Sequence, residues 1–275
     1  AIETLTLGIF NVWLGMNSLS GAAQISSVLF FIVVILLTLE LIARRNQRFY
    51  EKYSRQQTLE FETIQTWKKY LFFLICLTPL CLGFIIPVSV LLNFVFKGYA
   101  VVNITEVFDT AKTSITISVI TSSIIMFLSF LMVVVATYKS NTLQKSLIFL
   151  ASCGYAFPGT ILAVGVVVFV GWLNEILYFH MSYFLGGFIV LIFAYSLRFL
   201  AIGNGSIRSG VTRINPNLID ASKTMGRSFL TTIKKVILPL TYTNILVGGI
   251  LVFVDILKEL PITLLLRPFN FETLA

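Results

Sequence analysis

Thr113–Tyr138 reads TSITISVITSSIIMFLSFLMVVVATY, a run without one Asp, Glu, Lys, Arg or His. A helix needs about 20 such residues to cross a hydrocarbon core of roughly 30 Å. It is also the open-chain structure that satisfies every backbone donor and acceptor inside lipid. The rest of the chain follows this pattern. Of 275 residues, 57% are hydrophobic and 12% charged, half the charged share of about 25% in soluble domains. Phe alone supplies 25 residues. The expected fold class is therefore an all-α integral membrane protein, a polytopic bundle of about six spans. The other five runs are Ile25–Ala43, Tyr70–Phe96 with Pro79 and Pro87, Ser146–Leu173 with Pro158, Tyr183–Gly203 and Thr241–Leu257. Neighbouring helices can take up the carbonyls that the prolines free.

Basic residues fall on alternate sides of these runs. Residues 44–69 hold Arg44, Arg45, Arg48, Lys52, Arg55, Lys68 and Lys69, and residues 138–145 hold Lys139 and Lys145. Residues 204–240 hold Arg208, Arg213, Lys223, Arg227, Lys234 and Lys235, with Arg198 just before them. The rich side is expected to be cytoplasmic and the N-terminus external. The net charge of +8 is then an orientation signal, with no nucleic-acid partner implied. Most spans read as lacking ionisable residues near their centres, unlike a proton-coupled transporter.

Ala1–Leu19 lacks the basic start, apolar centre and cleavage site of a signal peptide, and both ends read as cuts through a longer chain. No GxxxxGK[ST] occurs, so nucleotide phosphates are not held in that way and ATP hydrolysis is expected from another polypeptide. Cys76, Cys81 and Cys153 lack metal-ligand spacing and read as buried small hydrophobes. His180 has no Cys or His partner motif. No metal, cofactor or catalytic residue is expected on this chain.

The informative loop is Ile214-Asn215-Pro216-Asn217-Leu218-Ile219-Asp220-Ala221-Ser222-Lys223-Thr224-Met225-Gly226. Asn215 is a good N-cap and Pro216 suits the first helical position. Asp220 lies toward the end that favours a carboxylate, and Gly226 suits a left-handed close. The spacing predicts a helix over Pro216–Met225, about 15 Å long. Leu218, Ala221, Ser222 and Met225 share a face at helical spacing. A second amphipathic stretch, Ser228–Ile237, is expected to stop at Leu238-Pro239. By composition alone the first helix could equally lie on anionic lipid.

Asp220-Ala221-Ser222, three residues, Gly226, nine residues, then Val236-Ile237-Leu238-Pro239 resembles the EAA loop of binding-protein-dependent ABC importer permeases. That pattern is Glu-Ala-Ala, three residues, Gly, nine residues, Ile, any residue, Leu-Pro. Asp220, Ser222 and Val236 are mild departures. The resemblance implies that Leu218, Asp220, Ala221, Ser222, Met225, Gly226, Leu238 and Pro239 belong to a loop docking on a separate ATPase, which carries the ATP and magnesium. It also implies a solute-binding protein as partner and a bacterial inner-membrane location.

Asp255-Ile256-Leu257-Lys258-Glu259-Leu260-Pro261 and Leu264-Leu265-Leu266-Arg267-Pro268-Phe269-Asn270-Phe271 resemble the ferric-iron permeases of that class, and thiamine permeases share a looser version. The stretch Gly8–Gln24 is similar to the segment before the last span of their first half. The implied division is 1–43 as the end of a first half, 44–69 as cytoplasmic linker, and 70–275 as a second transmembrane domain short of its final span. The implied function is alternating-access import of ferric iron, with thiamine or another small solute as the alternative. A secondary transporter is the competing class; it would need coupling charges deep in the spans or a filter-like glycine motif, and Gly186-Gly187 and Gly248-Gly249 read rather as small-residue helix-packing contacts. Asp255, Lys258, Glu259 and Arg267 are candidate residues of an external mouth. Asp255 should face both Lys258 and Glu259 on one helix side, and the same spacing fits a solvated helix end pairing its own charges.

Overall fold

The computed structural model describes residues 4–45, 66–98, 103–138, 142–177, 187–268 and 271–275. Most of the proposed 44–69 linker and His180 lie outside these residues. The described residues are helical throughout, with no strand among them. In chain order the helices are α1 (Leu5–Phe10), α2 (Leu19–Arg45), α3 (Thr66–Leu80), α4 (Ile86–Phe96), α5 (Ile104–Tyr138), α6 (Thr142–Cys153) and α7 (Gly159–Leu177). They continue as α8 (Phe188–Val211), α9 (Pro216–Thr224), α10 (Phe229–Thr232), α11 (Leu238–Leu257) and α12 (Pro261–Leu266). Six helical segments are long and apolar enough to cross a membrane: Leu19–Glu40, Trp67–Phe96, Ile104–Tyr138, Gly159–Ile176, Phe188–Val211 and Phe229–Leu257. The all-α polytopic expectation holds.

The chain divides into two compact units, one of residues 1–44 with 108–275 and one of residues 45–107. In the second, α3 and α4 form one long span through a π turn at Cys81–Ile85. The Ile86 N–H reaches back five residues to the Cys81 carbonyl just before Pro87. The wider turn accommodates a proline that has no N–H to donate. The same device recurs in the first unit. A π turn at Ile233–Ile237 joins α10 to α11, and the Leu238 N–H bonds to Ile233 O just before Pro239. The stretch expected to stop at Leu238-Pro239 therefore continues as one helix. Its π turn supplies the room that an α-helical turn lacks.

Pro158 does the opposite. Ser146–Leu173 reads as one span, yet the chain breaks between α6 and α7. A 3₁₀ turn occupies Gly154–Ala156, and Phe157 is extended at φ −86° and ψ 137°. The proline ring disfavours helical geometry at the preceding residue, and no π turn relieves it here. The break is packed against α8: a Cβ on Gly154 would collide with the Leu197 carbonyl oxygen. Span five also differs from expectation, ending at Val211 instead of Gly203. Its added turns are small and polar, and they pack on α11. The Ser206 hydroxyl donates to Asn244 O at 2.8 Å, and Gly248 leaves 2.7 Å between its would-be Cβ and Ser206. Such small-residue contacts let membrane helices approach closely.

The core of the first unit gathers Ile125, Val134, Leu191, Tyr195, Phe199, Ile207, Ile237, Val252 and Ile262 from α5, α8, α11 and α12, with the π turn before α11. Large apolar side chains elsewhere face outward, including Phe31, Phe73, Phe127 and Ile250, as a lipid solvent permits. Cys76 is exposed and Cys81 and Cys153 are half-buried, so the cysteines are not core residues of this fold. Their apolar character suits a lipid-facing surface equally well. Replacing Gly154 by Ala should cost about 1–3 kcal/mol through overpacking, read as a lower thermal unfolding midpoint in detergent. Gly165→Ala, where nothing lies within 4 Å of the added carbon, should leave the midpoint unchanged or raise it.

Candidate functional site

Two polar features stand out in this apolar molecule. The first is α9, hung between α8 and α10. Asn215 caps it, its side-chain oxygen accepting the Asn217 N–H at 3.0 Å. Pro216 occupies the first position. At the other end the Arg227 N–H bonds to Ser222 O at 3.2 Å, and Gly226 takes φ +71°. This six-to-one closure around a left-handed residue is a Schellman motif. The open space around Gly226 leaves backbone handedness as the reason for glycine. The helix ends at Thr224, one residue short of expectation.

Ile219 is buried, as is Ile214 just before the helix, and both join the core. Ser222 is buried too. Its hydroxyl lies 2.8 Å from that of Thr232 on α10. This corrects the expected shared face, because Ser222 turns inward with Ile219 three residues before it. Leu218, Ala221 and Met225, spaced three and four apart, form the outward face; Leu218 is 49% exposed and Met225 75%. Asp220 is exposed and helps line a cleft of about 350 Å³ with Tyr138 and Thr212. Arg208, Arg213, Arg227, Lys234 and Lys235 are exposed around the same end. Leu238 and Pro239 belong to the first turn of α11 and not to the loop.

The second feature was not legible in the sequence. Arg198, counted with the basic residues flanking span five, sits in the middle of α8. It lies about 15 Å from Phe188 and about 20 Å from Val211 by helical rise. Its Nη1 is 3.2 Å from Glu259 Oε1, with side chains 18% and 8% exposed. The spans therefore do hold an ionisable group near a centre. An arginine there costs about 2.5–3.5 kcal/mol on insertion scales, so a partner is expected. Glu259 also accepts a long 3.4 Å bond from the Ile262 N–H. The start of α7 closes on the pair, since a Cβ on Gly159 would lie 2.5 Å from Glu259 Oε1. Beside them the Tyr195 and Thr263 hydroxyls lie 2.6 Å apart, and Thr263 donates to Glu259 O.

The four expected mouth residues are thus not one cluster. Lys258 pairs with Asp255 at 2.6 Å, the self-pairing that the spacing allowed. Glu259 turns the other way, into the bundle. Arg267 is exposed beyond α12, its N–H closing that helix on Thr263 O at 2.8 Å. The sequence marks the arginine but not its partner: Arg198 interrupts an apolar run that continues for several residues on both sides. No group of three or more His, Cys, Asp or Glu residues that could hold a metal ion occurs among the described residues.

Residues 133–269 match the family described as binding-protein-dependent transport system inner membrane component. That match runs from the end of α5 past α12 and includes both features. Across 279 aligned residues the chain is 23% identical to the Fe(3+)-transport system permease protein FbpB 2 of Haemophilus influenzae, covering 99% of this chain and 53% of that protein. The chain spans about half the length of this curated relative.

The Ser222–Thr232 hydroxyl bond should bind α9 to α10 with measurable strength. A double-mutant cycle of Ser222→Ala and Thr232→Val is expected to give a coupling of about 0.5–1.5 kcal/mol, read by chemical denaturation in detergent.

Proposed function

We propose, from the match of residues 133–269 to the binding-protein-dependent transport system inner membrane components, that this chain is part of the permease of an ATP-driven importer. Its cargo in this reading is ferric iron, and α9 is the contact with a separate ATPase. One observation carries the proposal. The chain caps and closes a nine-residue helix, anchors one side of it in the core, and leaves Leu218, Ala221 and Met225 outward. An outward apolar face of this size on a rigid, polar-flanked element fits a groove of a partner protein. Asp220 on the same short helix adds a carboxylate to that contact.

The work of import then divides between chains. The ATPase binds ATP and magnesium and supplies the energy. A solute-binding protein delivers the ion from the outer side. The permease alternates its access as α9 is pushed and released. Since α9 joins α8 through Thr212–Asn215 and is bonded to α10, its displacement moves two spans. The basic residues around α9 support its placement on the cytoplasmic side. The iron reading rests on the ferric relative and on the Asp255–Phe271 resemblance.

The test uses the full-length parent chain, purified from its native membrane in mild detergent. An ATP-binding protein should co-purify with it. Gly226→Asp puts a charged side chain where φ is positive, a conformation that costs an L-residue about 1–2 kcal/mol and Asp somewhat less, and should reduce ATPase recovery or coupled ATP hydrolysis. Met225→Glu, which leaves the turn intact, should do the same through the outward face. Failure to recover any ATPase, with solute uptake persisting after ATP depletion, would overturn the importer reading.

A further inference from the structure

The Arg198–Glu259 pair is the chemistry in this bundle that helix packing does not require. A buried ion pair is often no more stabilising than apolar residues of the same volume. Ionisable groups at membrane depth mark cargo paths by default. Its position is also particular. Two chain breaks, at Gly154–Pro158 and Lys258–Leu260, come together against α8 at the level of this pair. Discontinuous helices that meet inside the protein are where transporters build their sites.

A cleft lies beside α8 one helical turn along from Arg198. About 480 Å³ in volume, it runs beside α8 between α2 and α6, with Glu40, Ser152, Tyr155, Asn204 and Arg208 as its polar lining. Asn204 is 3% exposed, and neither atom of its amide has a hydrogen-bond partner among the described residues. Arg208 marks the end near α9 and Tyr155 the far end. The Tyr155 ring lies 6.3 Å from that of Phe199. Ala201 and Ile202 also line the cleft, and Arg198 is one turn beyond them.

The two partners are not equally held. Glu259 is the more deeply buried, fixed by its backbone at the α12 break, by the Ile262 N–H and by the start of α7. Arg198 is less committed: its Nε and Nη1 have no hydrogen-bond partner among the described residues, so the 3.2 Å approach is a charge contact with poor hydrogen-bond geometry. Arg198 also rides on the helix that leads into α9. The partner that can leave is the cation, and what remains is a carboxylate.

We infer that Glu259 is a cargo contact within the path, and that Arg198 is its resident counter-ion, closing the path until a cationic cargo takes its place. The inference rests on the importer reading and names the cargo class as a multivalent cation with preference for oxygen donors. Moving α9 draws Arg198 from Glu259, and the incoming ion neutralises the exposed carboxylate. Retreat of the ion restores the pair.

The test is ATP-driven uptake of ferric iron into proteoliposomes that hold the full-length parent chain with its ATPase and solute-binding protein. Glu259→Gln should lower uptake by about tenfold or more, the scale of one lost charged contact, and Arg198→Lys should retain most of it. The deciding variant is the double Arg198→Gln/Glu259→Gln, which strands no buried charge and should assemble with the ATPase even where a single variant does not. Uptake by the double variant that stays about tenfold low supports the inference. Recovery to the unaltered level assigns the pair a packing role and overturns it. Absence of ATP-driven ferric uptake by the unaltered complex overturns the importer reading, and this inference with it.

Discussion

Inside a bilayer a peptide group has no water to turn to, and the fold is an answer to that constraint. Every backbone N–H and C=O must find a partner within the protein. Where the chain stays helical this is automatic, and α2, α5 and α8 run with apolar side chains turned to lipid. Pro79 sits within α3, and at the other span-interrupting prolines the chain has two solutions. A π turn before Pro87 and another before Pro239 keep the span continuous. At Phe157-Pro158 the helix opens, and the released backbone is buried against α8. Breaks can thus occur only where another helix covers them, which is why two of them converge on the middle of α8.

Span number and type were legible because a run of lipid-compatible residues about 20 long has few other uses. The capped helix was legible for a different reason. Asn215, Pro216 and Gly226 each answer a local backbone need, so their order alone defines a start and a stop. The outcome at each proline was not legible. Ile86-Pro87, Leu238-Pro239 and Phe157-Pro158 are alike as dipeptides, and only the surroundings decide between a widened turn and a break. The inward turn of Ser222 was hidden because spacings of three and four residues admit two overlapping faces. Thr232, ten residues on, selects between them.

Arg198 shows how one wrong helix end moves a residue across the functional map. With span five ending at Gly203, a basic residue five positions earlier reads as part of a charged flank. Extending the helix to Val211 places the same side chain at mid-helix and buried, where it demands a counter-ion. Glu259 reads in the sequence as a rim residue beside Lys258 and Asp255. The pairing crosses between elements 61 positions apart in sequence, and no local pattern encodes it.

The hydroxyl bond between Ser222 and Thr232 gives the α9 hairpin a mechanical property. A helix joined to its neighbours only at its ends would act as a string in series, and slack in either connection would absorb a push. With its flank tied to α10, the hairpin is instead a fork with two tines, one into α8 and one through the π turn into α11. Strain applied at Met225 is shared in parallel, so it reaches α8 and α11 at the same time and by separate arms.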